Sequence, residues 1–140
     1  MTILDTNVLS ELMHPQPSST VARWIAQQPA SELFTTSITE AEIFYGIELL
    51  AKGARRDALW VAAEAMFAED MAGRILGFGS EEARSFPRIA AHRRALGRPI
   101  SHADAQIAAI ARVHRARLAT RNIADFSDCA LQLVDPWSAS

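Results

Sequence analysis

Short apolar or β-branched runs alternate along this chain with longer segments of helical pattern, and that alternation limits the fold more than any other feature. The runs are Thr2–Leu4, Leu33–Thr36, Arg74–Phe78, Leu118–Thr120 and Leu131–Val134. Strands that are short and continuously apolar are covered on both faces, and intervening helices supply the crossovers of a parallel sheet. The expectation is an α/β fold with a mainly parallel five-stranded sheet. Ligands in such sheets bind beyond the carboxyl ends of the strands, where Asp5 and the Thr120-Arg121-Asn122 turn would lie.

The clearest helix is Ser37 to Leu50, with Ser37 and Glu40 as a capping box and Gly53 placed to end it. Shorter helices are expected from Val8 to Leu12 and after the Ser18-Ser19-Thr20 cap, where Val21, Trp24 and Ile25 keep helical spacing. Ala54 to Met71 reads as a helical hairpin, Ser80 to Leu96 as a helix interrupted by Pro87, and Ser101 to His114 as a final helix after Gly97 and Pro99. No repeat, low-complexity stretch or linker divides the 140 residues, so a single domain over 1–140 is expected.

Charge narrows the function classes. The 14 basic residues, 13 of them arginine, are outnumbered by 16 acidic ones, which argues against a binder held to nucleic acid by net charge alone. Cys129 stands alone and the histidines and cysteine form no zinc pattern, so a reducing, cytoplasmic setting is expected. No apolar run approaches the ~18 residues that span a bilayer, and no membrane association is expected.

Three acids stand in unusual places. Ile38, Glu42, Tyr45 and Leu49 follow the i, i+4, i+7, i+11 spacing of one helix face, so Glu42 is expected to point toward the core, although it reads equally as a helix-face residue at a partly wet edge. Asp104 shares a stripe with Ile107, Ala108 and Ala111, although alone it also reads as an acid at N3 behind a Ser101 cap. Asp5 alone reads equally as a helix cap after the first strand. Together these acids lack basic partners in their own segments. Clustered carboxylates repel, and a hard divalent cation with oxygen ligands relieves them, magnesium or manganese before zinc. Such an ion suits phosphodiester hydrolysis, because it activates water and steadies charge on the phosphate.

Leu4-Asp5-Thr6-Asn7-Val8, Thr39 to Gly46, His102 to Ala109 and Thr120 to Phe126, in that order and spacing and continued through Asp135-Pro136-Trp137, carry a resemblance to the PIN-domain toxins of the VapC and FitB type. It implies an α/β/α sandwich, a magnesium-dependent endoribonuclease, a homodimer, and inhibition by a cognate antitoxin through which alone operator DNA is bound. Residue by residue, it implies Asp5 and Asp104 as the principal metal ligands and Glu42 as the third acid. Thr6 and Asn7 would support the first ligand, and Thr120 would close the fourth strand. Asn122 and Asp125 compete for a fourth place that in many relatives is an acid.

Other features have plainer accounts beside the functional ones. Arg88, His92, Arg93, Arg94 and Arg98, and then Arg112, His114, Arg115 and Arg117, suit a solvated helix face as well as a guide for RNA or for an antitoxin's acids. His102 lies two residues before Asp104 within possible reach of substrate, but also suits a helix start. Trp24, Trp60 and Trp137 read as core or interface residues, and Leu59, Trp60, Ala63 and Phe67 as either a partner surface or the domain's own core. Aspartate-nucleophile phosphatases need a second Asp where this chain has Asn7, and receiver domains need a late lysine, yet none follows Lys52. The uncharged Asn122 leaves open a catalytically silent module that acts through an antitoxin and DNA complex.

Overall fold

Ile3 and Leu4 are neighbours in the first strand, and both are buried, on opposite faces of one sheet. Leu118 and Ala119 do the same in the strand beside it. Both faces are therefore covered, as a run of uninterrupted apolar residues requires. The structure, a computed structural model, describes residues 1–138. In chain order it contains β1 (Thr2–Leu4), α1 (Thr6–Leu12), α2 (Ser19–Ala26), β2 (Leu33–Thr36), α3 (Ser37–Glu48), α4 (Ala54–Ala65) and β3 (Ile75–Leu76). Then follow α5 (Ser80–Ala95), α6 (His102–His114), β4 (Arg117–Ala119), α7 (Ile123–Phe126) and β5 (Leu133–Val134).

The sheet has the order β3-β2-β1-β4-β5 and every pairing is parallel. This is the expected five-stranded parallel sheet, and its helices complete an α/β/α sandwich. On one face Val8, Leu9, Val21, Trp24, Ile43, Ile47 and Phe67 pack from α1 to α4 and the turn after it. On the other, Ile89 of α5 and Ile107 to Ala111 of α6 enclose Ile3 and Leu118. Full burial of Ile107 and Ile110 contributes about 1.5–3 kcal/mol each, which holds α6 firmly against the sheet. After β1 the chain turns toward β2, and after β4 it turns the other way toward β5. The crevice between β1 and β4 is the switch point where such sheets collect ligands.

Several expected boundaries move. The cap of α3 is Thr36, whose hydroxyl accepts the Thr39 N–H at 3.1 Å, so Ser37 is already helical and the Ser37/Glu40 capping box is not formed. The last residue of β2 thus doubles as the helix cap. Gly53 does not end α3; it starts α4 with φ 155° and ψ −176°, a backbone region open in practice to glycine alone. Ala54 to Met71 is one helix closing in a π-turn, Met66–Asp70, rather than a hairpin, and the Met71 N–H donates to the Met66 carbonyl at 2.9 Å. Ala63 and Phe67 are buried there and Phe44 packs on Trp60, so this segment mainly closes the domain's own core.

Pro87 does not break α5. Pro87 and Ala83, whose carbonyl loses its amide partner, are both exposed, so the missing bond falls on the solvent side. The strands at the sheet edges are shorter than their apolar runs, Ile75–Leu76 instead of Arg74–Phe78 and Leu133–Val134 instead of Leu131–Val134. Among the described residues no helix is long and apolar enough to cross a membrane.

Candidate active site

Asp5 leaves β1 at the switch point and caps α1, with φ −70° and ψ 164°. Its backbone N–H donates to the Ala119 carbonyl at 2.9 Å, which extends the β1/β4 ladder by one bond. Asp5 is 4% exposed, and both of its carboxylate oxygens accept hydrogen bonds from the protein. Oδ1 accepts the Thr6 N–H at 2.8 Å, and Oδ2 accepts the Thr120 hydroxyl at 2.7 Å and the Asn7 amide at 3.2 Å. The Thr120 hydroxyl in turn accepts the Asn122 N–H at 3.0 Å, and Asn7 Oδ1 accepts the Arg121 N–H at 3.2 Å. The loops after β1 and β4 are thereby locked into one piece. Burial is the largest influence on Asp5 and pushes its pKa up, opposed by the bonds from Thr120, Thr6 and Asn7, while the charge of Glu42 raises it further.

Asp104 enters from the first turn of α6, where its backbone N–H donates to the Ser101 hydroxyl at 3.1 Å. Its carboxyl is pushed up to about 6 from the ordinary 3.8, by burial first and then by the charges of Asp5, Asp125 and Glu42. The acids therefore feel one another. Among the described residues none of them takes part in an ion pair.

Of the two readings of Glu42, the core-facing one fails and the wet-edge one matches the structure. Glu42 is exposed, as are Tyr45 at 67% and Leu49 at 68%, and the buried stripe of α3 is Thr39, Ile43 and Ile47. The helix carries two apolar faces, and the one containing Glu42 is turned outward. Glu42 still reaches the cleft, because the Thr6 hydroxyl, 3.0 Å from Thr39 Oγ1, donates to its Oε1 at 2.8 Å.

Asp5, Glu42 and Asp104 line a single cleft with Thr6, Asn7, Ser10, Glu11, His14, Arg121, Asn122 and Trp137. Asn122 is in that lining; Asp125, on the exposed side of α7, is not, although its charge acts on Asp104. Among the described residues no three Asp, Glu, His or Cys side chains converge closely enough to cage a cation. His102 packs against Phe86, 4.9 Å between ring centroids, and does not line the cleft. Trp137, read as core or interface, packs against the core and lines the cleft as well.

Sequence reasoning also missed Arg93. It is not part of a solvated face: it is 5% exposed and donates to the carbonyls of Arg98 at 2.8 Å, Asp125 at 2.7 Å and Ser127 at 3.1 Å. Its position four residues after the buried Ile89 was the available signal.

A prediction follows from Asp104. Its proton is held more tightly folded than unfolded, so the charge lowers stability at pH above about 6, and the loss disappears as pH falls toward 4. In chelator, Asp104→Asn should therefore be more stable than the parent at pH 8 and equal to it at pH 4. For a half-buried, solvent-screened group the gap is about 1 kcal/mol, or ~4 °C in Tm. Thermal melts of both proteins across that range check this, and parallel curves would refute the shift.

The family model described as PIN domain matches residues 2–130. The chain is 35% identical over 137 residues to the VapC ribonuclease Y4jK of Sinorhizobium fredii, covering 98% of each protein. It is 34% identical to the toxin FitB of Neisseria gonorrhoeae, covering 98% of this chain and 99% of that protein. A crystal structure of FitAcB from Neisseria gonorrhoeae superposes with TM-score 0.91 at 33% identity over 99% of each chain. A structure of FitAB bound to an IR36 DNA fragment superposes with TM-score 0.92 at 33% identity, over 100% of this chain and 98% of that one. With a family model matched along nearly its whole length, and with a parallel sheet that delivers Asp5 and Asp104 to one cleft, the chain belongs to the PIN-domain family.

Proposed function

We propose that this chain is a divalent-cation-dependent endoribonuclease acting as the toxin of a toxin–antitoxin pair. The observation that carries the reading is the cleft at the switch point, which Asp5, Glu42 and Asp104 line together without an ion-pair partner among the described residues. Relatives named as ribonucleases and toxins support it.

The donor set fits a hard cation, since carboxylate, hydroxyl and amide oxygens dominate the lining. Magnesium is commonly held by one or two carboxylates, with water and substrate phosphates completing its shell, so a three-acid cage is not required. Asp5 and Asp104 would hold it, manganese serving in its place, and the bound ion would supply Lewis acidity to the phosphate and to the attacking water. Thr120, Asn7 and the Thr6 N–H aim the Asp5 carboxylate. Glu42, tethered by the Thr6 hydroxyl, adds negative charge at the rim, and Asn122 offers a neutral oxygen in the fourth place, with Asp125 behind it. In this reading the chain works in the cytoplasm, forms a homodimer, and reaches operator DNA only through an antitoxin. A solved structure of FitAB bound to a DNA fragment supports a link to DNA.

Purified chain, freed of antitoxin, should cleave single-stranded RNA or tRNA loops with magnesium or manganese and stop in excess chelator. Calorimetry should show weaker magnesium binding by Glu42→Gln with an unaltered fold. Cleavage that continues in chelator would reject the metal mechanism. A folded chain that captures antitoxin yet leaves RNA intact would instead be a silent interaction module.

A further inference from the structure

The cleft poses an electrostatic problem for the substrate proposed above, because Asp5, Glu42 and Asp104 would repel an entering phosphodiester chain. Arg121 supplies the one guanidinium in the lining. Its Cζ stands 5.0 Å over the Trp137 ring, and among the described residues its side chain makes neither an ion pair nor a hydrogen bond. An arginine stacked on an indole is held in place while its N–H edge stays free for an anion.

Both halves of this pair are anchored. The Trp137 N–H donates to Asp135 Oδ1 at 2.9 Å. The Arg121 N–H donates to Asn7 Oδ1, and the same Asn7 amide donates to Asp5 Oδ2. One side chain therefore ties the backbone that carries Arg121 to the innermost carboxylate, while the Trp137 ring places the guanidinium itself.

We propose that Arg121, pre-ordered by Trp137, binds a backbone phosphate of single-stranded RNA and seats the neighbouring phosphodiester over the acids. The inference rests on the ribonuclease reading but is tested without cleavage. A fluorescent single-stranded oligoribonucleotide is titrated with the chain in chelator over a range of salt. Arg121→Gln should weaken binding about tenfold and reduce the salt slope by about 0.7, the share of one single-strand phosphate contact. Arg121→Lys should keep the salt slope but recover affinity only in part, and Trp137→Leu should lose more affinity than Trp137→Phe. Arg84→Gln, on the exposed side of α5 and outside the cleft lining, should change neither.

Equal affinity and slope for Arg121→Gln and the parent would overturn the assignment while leaving the ribonuclease reading intact. Unchanged RNA binding with weakened antitoxin capture would move Arg121 to a protein interface and overturn it as well. A parent chain that binds no RNA in chelator would overturn the assignment, and one that binds none with calcium added either would overturn the ribonuclease reading as well.

Discussion

Asp104→Ala is expected to lower RNA cleavage by more than about 100-fold while leaving the protein folded. Outer partners of a metal site already cost about 10–100-fold when removed, and a carboxylate that holds the ion directly should cost more. Asp104 is the cleaner of the two central acids to test. Its charge is opposed by burial and by Asp5, Asp125 and Glu42, so removing it relieves repulsion in the metal-free protein. Asp5→Ala should be as inactive, but it also removes the cap of α1 and strands the donors of Thr120 and Asn7, so its fold must be measured beside its activity. Thr120→Val supplies the graded case. It keeps the shape, deletes the hydroxyl that aims Asp5 and orphans the Asn122 N–H, and should cost about 10–100-fold. Wild-type cleavage by well-folded Asp104→Ala would end the proposed chemistry.

Arg93→Met should destabilise the chain by about 2–4 kcal/mol, roughly 10 °C in Tm, the largest expected effect outside the cleft. The guanidinium holds the turn after α5 through the carbonyl of Arg98, and ties α5 to α7 and the segment after it through those of Asp125 and Ser127. That segment includes Asp128 and Ala130 at φ 59° and 57°, a region unfavourable for residues with a side chain, so it needs outside support. Arg98 adds a salt bridge to Asp128, but on the surface, where such a pair contributes less. Methionine would leave the three carbonyls without their donor, and Arg93→Lys should restore only part of the loss, because an ammonium cannot copy the fork. Thermal melts and proteolysis between residues 125 and 130 measure this. A change under 1 kcal/mol would show that the clasp carries little.

The expectations that held share one property: each rests on a pattern that short segments express locally. Uninterrupted apolar strands determined a sheet covered on both faces, and the positions of Asp5 and Thr120 at strand ends put them at its carboxyl edge. Failures came where a segment offers two compatible patterns. Helix α3 has an apolar stripe through Glu42 and another through Thr39, Ile43 and Ile47, and periodicity weighs both alike. Packing against α1 and α4 selected the second. Likewise, Arg93 sits in a run of basic residues that resembles a solvated face, and only the Asp125 and Ser127 carbonyls, more than 30 residues away, give it a reason to be buried.

The acidic cluster shows the same division. Sequence alone determined that a carboxylate would stand at the end of the first strand and another in the first turn of a helix anchored by Ile107 and Ala111. Only tertiary structure decided that they meet, that Asn122 lines the cleft while Asp125 stands behind it, and that Arg121 and Trp137 form its lip. The physical reason is range. Backbone preference and hydrophobic period act over a turn or a strand, whereas burial, repulsion between carboxylates and hydrogen bonds between loops arise only when β1 and β4 pair across more than 100 residues of chain.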